Sequence, residues 1–387
     1  MIRVAIVGTG GIAHAHMEGL LTFPERCQVV ALCDIYIEKA KAFREEFHLD
    51  CPVFADYQEM LKSGIEIDLV HVCTPPYVHA QISIDAMDHG CNVLTEKPMA
   101  ASLEECDAML EAEKRNQVIL GCIAQNRFRN GVWKLKKIAD SGIAGKLCVA
   151  EVNSLWWRGH SYYDLWWRGT WEKEGGGCTL NHAVHHIDML NWMEGGLPES
   201  VMAMLANVMH DNSEVEDLSF ALLRYADKSV ARVTSSVVHH GEEQGIVLQC
   251  ADAKISVPWD VKAEKSQANG FTKEGGNVEL VQKIQEAYQE IEDLKYEGHT
   301  GEIDNVLTAL ETGKRPLITG EDGRRTIELI TAIFKAGSTG ETVHLPIEKD
   351  DPFYTAEGIV KHAVHFYEKT GHVENFGNER ITLGNTK

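Results

Sequence analysis

Residues 4–13, Val-Ala-Ile-Val-Gly-Thr-Gly-Gly-Ile-Ala, put an apolar strand, a glycine turn and a helix start into one short stretch. Asp34 closes the next apolar run, Val29-Val30-Ala31-Leu32-Cys33. A buried strand, spaced glycines, a helix N-terminus and an acid about twenty residues on are the layout of a dinucleotide-binding unit. Gly8 permits the tight turn and Gly10 lets the backbone approach a pyrophosphate. Gly11 and Ile12 open a helix whose free N–H groups and partial positive charge suit phosphates. Ala13 stands where many such turns carry a third glycine. Asp34 is expected to bind the ribose hydroxyls of an adenosine. Its carboxylate repels a 2′-phosphate, which favours NAD, while Lys39 keeps NADP as the minor alternative.

A chain of 387 residues has room for two cores. Its formal charge of −21 disfavours nucleic acid and anionic membrane as partners. No apolar run is long enough to span a bilayer, and no basic-then-apolar leader precedes the first strand. Ten cysteines are scattered without metal spacing, which reads as core thiols in a reducing cytoplasm.

Up to residue 122 apolar strands alternate with amphipathic helices. Strands are expected at 3–7, 28–33, 68–73, 91–95 and 118–122, and helices at 12–22, 37–47, 77–89 and 103–116. This predicts an α/β fold with a doubly wound parallel sheet, whose ligands sit beyond the carboxyl ends of the strands. Asp34, Thr74-Pro75 and Glu96-Lys97-Pro98 fall at those ends. After about residue 145 alternating segments at 146–155, 200–208, 217–225, 229–237, 244–250 and 253–257 predict a second, mostly antiparallel sheet. A helix at 182–194 interrupts it, and helices at 300–312 and 322–337 are expected to pack back on the first sheet. The division expected is 1–122 for the cofactor, 123–349 for the substrate, and a C-terminal extension, 350–387. In the extension a helix is expected at 356–369, with the last ten residues mobile.

Three constellations carry chemistry. Lys97, at a strand end beside a nicotinamide, would hold a substrate hydroxyl and steady the developing alkoxide. The Gly175–Asp188 block places three glycines before a helix with Asn181 and His185 on one face. His185 suits a general base, and Asp188 would orient a ring nitrogen or hold the helix. His182, His185 and His186 invite a zinc reading, but no glutamate or cysteine pair accompanies them, so no metal is expected. Five of eight tryptophans lie in 156–171, where aromatic faces would stack on sugar or nicotinamide, or form a subunit interface.

These residues together resemble the Gfo/Idh/MocA oxidoreductases, the glucose–fructose oxidoreductase and inositol dehydrogenase group. The resemblance rests on Gly8-Thr9-Gly10-Gly11-Ile12-Ala13, Thr74-Pro75 with His79, Glu96-Lys97-Pro98, Gln125-Asn126-Arg127-Phe128 and the Gly175–Asp188 block. It implies a Rossmann domain followed by an α/β domain on a large open sheet that makes a homodimer or homotetramer. It also implies Lys97 and His185 as the catalytic pair. Asn181 stands where the family usually has aspartate, and an amide cannot relay a proton. Asparagine here resembles the sugar-nucleotide and glycoside 3-dehydrogenase branches.

The expectation is hydride transfer from a ring secondary alcohol, at C3 of a sugar or glycoside, to NAD. Gly8, Gly10, Gly11, Ile12, Asp34, Thr74, Pro75, His79, Glu96, Lys97, Asn126, Trp167 and Arg168 would hold the cofactor. Lys97, Arg127, Tyr163, Asn181, His182 and His185 would hold the substrate. Two alternatives remain: a glycosidase that oxidises C3 transiently and eliminates the aglycone, and a sensor that binds without turnover.

Overall fold

The computed structural model describes residues 1–374, so the expectation for the last ten residues lies outside it. Six parallel strands come first: β1 (Ile2–Val7), β2 (Cys27–Cys33), β3 (Val53–Phe54), β4 (Leu69–Val72), β5 (Asn92–Thr95) and β6 (Leu120–Cys122). Their order is β3-β2-β1-β4-β5-β6, which reverses direction between β1 and β4. That switch point opens a crevice at the carboxyl ends, where ligands of such sheets bind. The strands run Val/Ile/Leu-rich because helices cover both faces: α1 (Gly11–Leu21), α2 (Ile37–Glu46), α3 (Tyr57–Lys62), α4 (His79–Asp88) and α5 (Leu103–Asn116). Local chemistry sets the helix ends. Ser102 caps α5 through the Glu105 N–H, Glu104 and Glu105 fill its first turn, and Lys114 and Arg115 its last.

The second sheet has eight strands: β7 (Leu147–Leu155), β8 (Ser200–Ala206), β9 (Leu218–Arg224), β10 (Val230–Ser236), β11 (Gln244–Cys250), β12 (Lys254–Val257), β13 (Asp260–Lys262) and β14 (Val343–His344). Only β7 and β10 pair in parallel; every other neighbour is antiparallel. The helices of this half are α6 (Asn130–Asp140), α7 (Cys178–Asn181), α8 (Val184–Glu194), α9 (Val278–Glu290), α10 (Gly298–Thr312), α11 (Gly320–Thr339) and α12 (Ala356–His362). As expected, α10 packs back on α1, and α11 lies against both α5 and β8.

Several expectations shift. The helix expected at 182–194 is α8, which starts two residues later, and a separate short helix, α7, precedes it. Residues 260–280, which carry no clear apolar pattern, hold β13 and the start of α9, which Asn277 caps. The tail helix stops at His362. Beyond it the chain braces residues 164–171: the Trp171 indole donates to Val364 O, and Trp166 N–H to Val373 O.

A buried ion pair fixes α8 against the end of the parallel sheet. Arg127, on the short helical turn Gln125–Phe128 after β6, donates two bonds to Asp188 of α8, at 2.8 and 2.7 Å. Both side chains are almost fully buried. Arg127 was expected to touch substrate; it is instead engaged by Asp188, with Asp322 at 3.4 Å. Asp188 therefore holds the helix rather than orienting a histidine ring. Removing one partner of such a pair strands a buried charge. Asp188→Ala should cost about 3–5 kcal/mol in denaturant unfolding, and a loss below about 1 kcal/mol would contradict this account.

Candidate active site

The crevice begins at the glycine turn. Gly8 has φ +91°, and a Cβ there would lie 2.5 Å from Cys73 O, so only glycine lets β1 and β4 close this tightly. At Gly10 the added Cβ would meet nothing within 4 Å. The first turn of α1, with Gly11 and Ile12, has no capping side chain and no acid. An anionic group therefore has both room and N–H donors there. Asp34 is pinned at the end of β2: Oδ2 accepts from the Thr9 N–H and hydroxyl, both at 2.9 Å, and Oδ1 accepts from the Tyr36 N–H. These residues fit a dinucleotide.

Beyond β4 and β5, one imidazole ties two loops together. Fully buried His79 faces Thr74 O at 2.7 Å and Pro98 O at 2.8 Å through its two ring nitrogens. It was expected at the cofactor. With both nitrogens taken, it braces Thr74-Pro75 against the cis Lys97–Pro98 peptide instead. Glu96 is also spent within the protein. Its carboxylate faces His16 at 2.9 Å and accepts the Lys97 N–H at 3.1 Å. Asn126 is buried, and its Oδ1 accepts from Arg129 at 3.2 Å.

Lys97 Nζ donates to Asn181 O at 3.3 Å, which links the parallel sheet to α7. Asn181 Nδ2 donates to Gly176 O. Lys97 and His185 line one small cavity, with Val184 and Asp188 beside them. Burial pushes the Lys97 amine below its ordinary value, against the pull of Glu96. Burial, with Lys97 close by, holds His185 well below the usual imidazole range, and its Nδ1 has no hydrogen-bond partner. The site thus offers a neutral base beside an amine of weakened basicity.

The glycine triplet serves the protein rather than a ligand. A Cβ on Gly176 would enter the Phe334 ring, and one on Gly177 would strike Glu216 O. Glu216, buried and pushed up to about 7, accepts the N–H groups of Gly177 and Thr179 and so caps α7.

The aromatic segment divides by burial. Tyr163, expected at the substrate, is 1% exposed and packs edge-on against Tyr162 and His210, so it belongs to the core. Tyr162 lies 5.6 Å from the His182 ring, with Trp156 5.7 Å from the same ring. Arg168 lies over Tyr162 at 4.0 Å and over Trp167 at 4.4 Å. Trp166 meets Tyr77 of the first half edge-on. Glu174 completes the group: buried and pushed up to about 7, it accepts the Gly169 N–H at 2.6 Å and sits 3.6 Å from Arg168. Neither Tyr162 nor Glu174 was among the residues expected at the site. The one signal for Glu174 was its place directly before the glycine triplet.

Residues 2–123 match a family described as an oxidoreductase family with an NAD-binding Rossmann fold, and residues 132–256 match the GFO/IDH/MocA C-terminal domain. The 2,7-anhydro-N-acetylneuraminate hydratase of Mediterraneibacter gnavus is 29% identical over 318 residues, 81% of this chain and 81% of its own. The D-glucoside 3-dehydrogenase of Escherichia coli is 26% identical over 194 residues, 50% of this chain and 54% of its own. The WlbA dehydrogenase of Bordetella pertussis, solved with NADH and UDP-GlcNAcA, aligns with a TM-score of 0.77 at 27% identity, covering 90% of this chain and 98% of that one.

Proposed function

This chain belongs to the Gfo/Idh/MocA family of NAD-binding oxidoreductases, and on that footing we propose that it oxidises a ring secondary alcohol, at C3, of a sugar or glycoside. The observation that carries the reading is that Lys97 and His185, from opposite halves of the chain, line one cavity. NAD, when bound, supplies the hydride acceptor. His185, neutral because it is buried, takes the hydroxyl proton. Lys97 donates to the reacting oxygen and offsets the negative charge that grows on it. Asn181 orients a neighbouring hydroxyl but carries no proton. Tyr162, His182 and Trp156 form an aromatic wall for the apolar face of a pyranose. Asp34 takes the adenosine ribose hydroxyls and disfavours NADP.

A second reading draws on the relative named a hydratase. Oxidation at C3 would acidify the adjacent C–H and permit elimination of a leaving group. Water would then add, and the ketone would be reduced again. The same Lys97 and His185 would serve both halves of that cycle.

The outer face of the second sheet supports a homo-oligomer. Met202 and Met204 of β8 pair across to Leu222 and Phe220 of β9, and all four are about half exposed or more. Monomers seldom leave so contiguous an apolar row in water.

Lys97→Ala should abolish turnover while NAD affinity, read by fluorescence titration, stays within a few-fold. Near-normal turnover would remove Lys97 from the mechanism. Protonated His185 cannot act as base, and its pKa is depressed. Hence kcat/KM should stay flat as pH falls to 6.5 and drop only below it; a midpoint above 6.5 would contradict the assignment. A chromogenic glycoside without added NAD separates the two readings. Many turnovers of chromophore favour elimination, and reduced cofactor with a stable ketone favours the dehydrogenase. Phe220→Asp should convert the oligomer to monomer in light scattering, and an unchanged mass would place the interface elsewhere.

A further inference from the structure

A second cluster of buried donors lies behind Lys97. We propose that His16, Glu96 and His299 form a binding site for one divalent transition-metal ion of zinc-like preference. His16 comes from α1, Glu96 from the end of β5 and His299 from the first turn of α10. They are 0%, 3% and 8% exposed. Nε2 of His16 is 2.9 Å from Glu96 Oε1, and Nε2 of His299 is 3.4 Å from the same oxygen. One donor atom from each lies within 4.8 Å of the other two. Zinc–ligand bonds of about 2.0–2.1 Å at a tetrahedral angle place neighbouring donors about 3.3 Å apart. The two observed spacings bracket that value.

The His299 nitrogen supplies an independent argument. Despite its closeness to the carboxylate, Nε2 has no hydrogen-bond partner. A buried polar atom left unpaired is costly and calls for an occupant. A lone pair aimed at a metal resolves it. The outer partners are also present. His16 Nδ1 is 2.9 Å from His71 Nδ1, so a His16 bound through Nε2 donates its remaining proton there. Glu96 Oε2 accepts the Lys97 N–H, which leaves Oε1 for the ion. Outer bonds of this kind fix ligand orientation in metal sites.

A cleft of about 340 Å³, lined by Glu18, Gln125, Arg129, Glu297 and His299, reaches one of the three donors. Two imidazoles and one carboxylate suit zinc rather than calcium or magnesium, which prefer all-oxygen sets. The ion would clamp α1 and α10 to the residue preceding Lys97. It would stand outside the histidine triplet at 182–186 that the sequence offered as a metal motif.

The test uses the full-length chain carrying Cys148→Ser, because Cys148 is the exposed thiol. After chelation and dialysis, Zn²⁺ is titrated against a chromogenic competitor and Co²⁺ by visible absorption. One Zn²⁺ per chain should bind with Kd below about 1 μM. Cobalt should give the intense bands of a four-coordinate site. His299→Ala, at the lip of the cleft, and His16→Gln should each weaken Zn²⁺ by about 100-fold or more. Circular dichroism and NAD titration check that both variants fold; if one does not, the other decides. If neither folds, the parent's stoichiometry and cobalt spectrum decide. Less than one-fifth of an equivalent in the parent, or affinity unchanged in a folded variant, would overturn the site and leave a hydrogen-bonded network. Neither result bears on sugar oxidation, which Lys97→Ala tests separately.

Discussion

A guanidinium and a carboxylate, buried between the two sheets, hold this molecule's chemistry in place. Arg127 lies on the short helical turn after β6, and Asp188 sits one helical turn beyond His185. Because residues three apart share a helix face, anchoring Asp188 also turns His185 toward the end of β5. There Lys97 meets it from the other sheet. The charges survive burial because two parallel N–H···O bonds satisfy both partners. Either alone would be an expensive stranded ion.

Burial then tunes the groups it brings together. The same desolvation lowers Lys97 and His185 and lifts Glu174 and Glu216 to about 7. In these four groups the charged form is disfavoured, whichever sign it carries. Asn181 fits that pattern, since a carboxylate in its place would add a further buried charge. Its backbone carbonyl takes the Lys97 amine instead.

What could be read from the chain followed from local rules. The glycine turn, Asp34 and the alternating strands carry their structure in their spacing, so the Rossmann sheet and most of the second sheet were legible. The failures are tertiary. An arginine in a polar stretch looks the same whether it faces substrate or a buried aspartate, so Arg127 was misread. Tyr162 and Tyr163 are adjacent, and only the docking of His210 decides which is core. The glycine triplet is crowded by Phe334 and Glu216, neighbours that no local spacing reveals. His16, Glu96 and His299 meet only because α10 folds back on α1, and no motif announces that.

The account stands or falls on where the reacting oxygen sits. A crystal structure of the ternary complex with NADH and a bound sugar or glycoside would locate it. The expected result has Lys97 Nζ and a His185 ring nitrogen both within about 3.2 Å of one ring hydroxyl beside the nicotinamide. A complex in which either group stays beyond about 6 Å, with no bridging water, would contradict it.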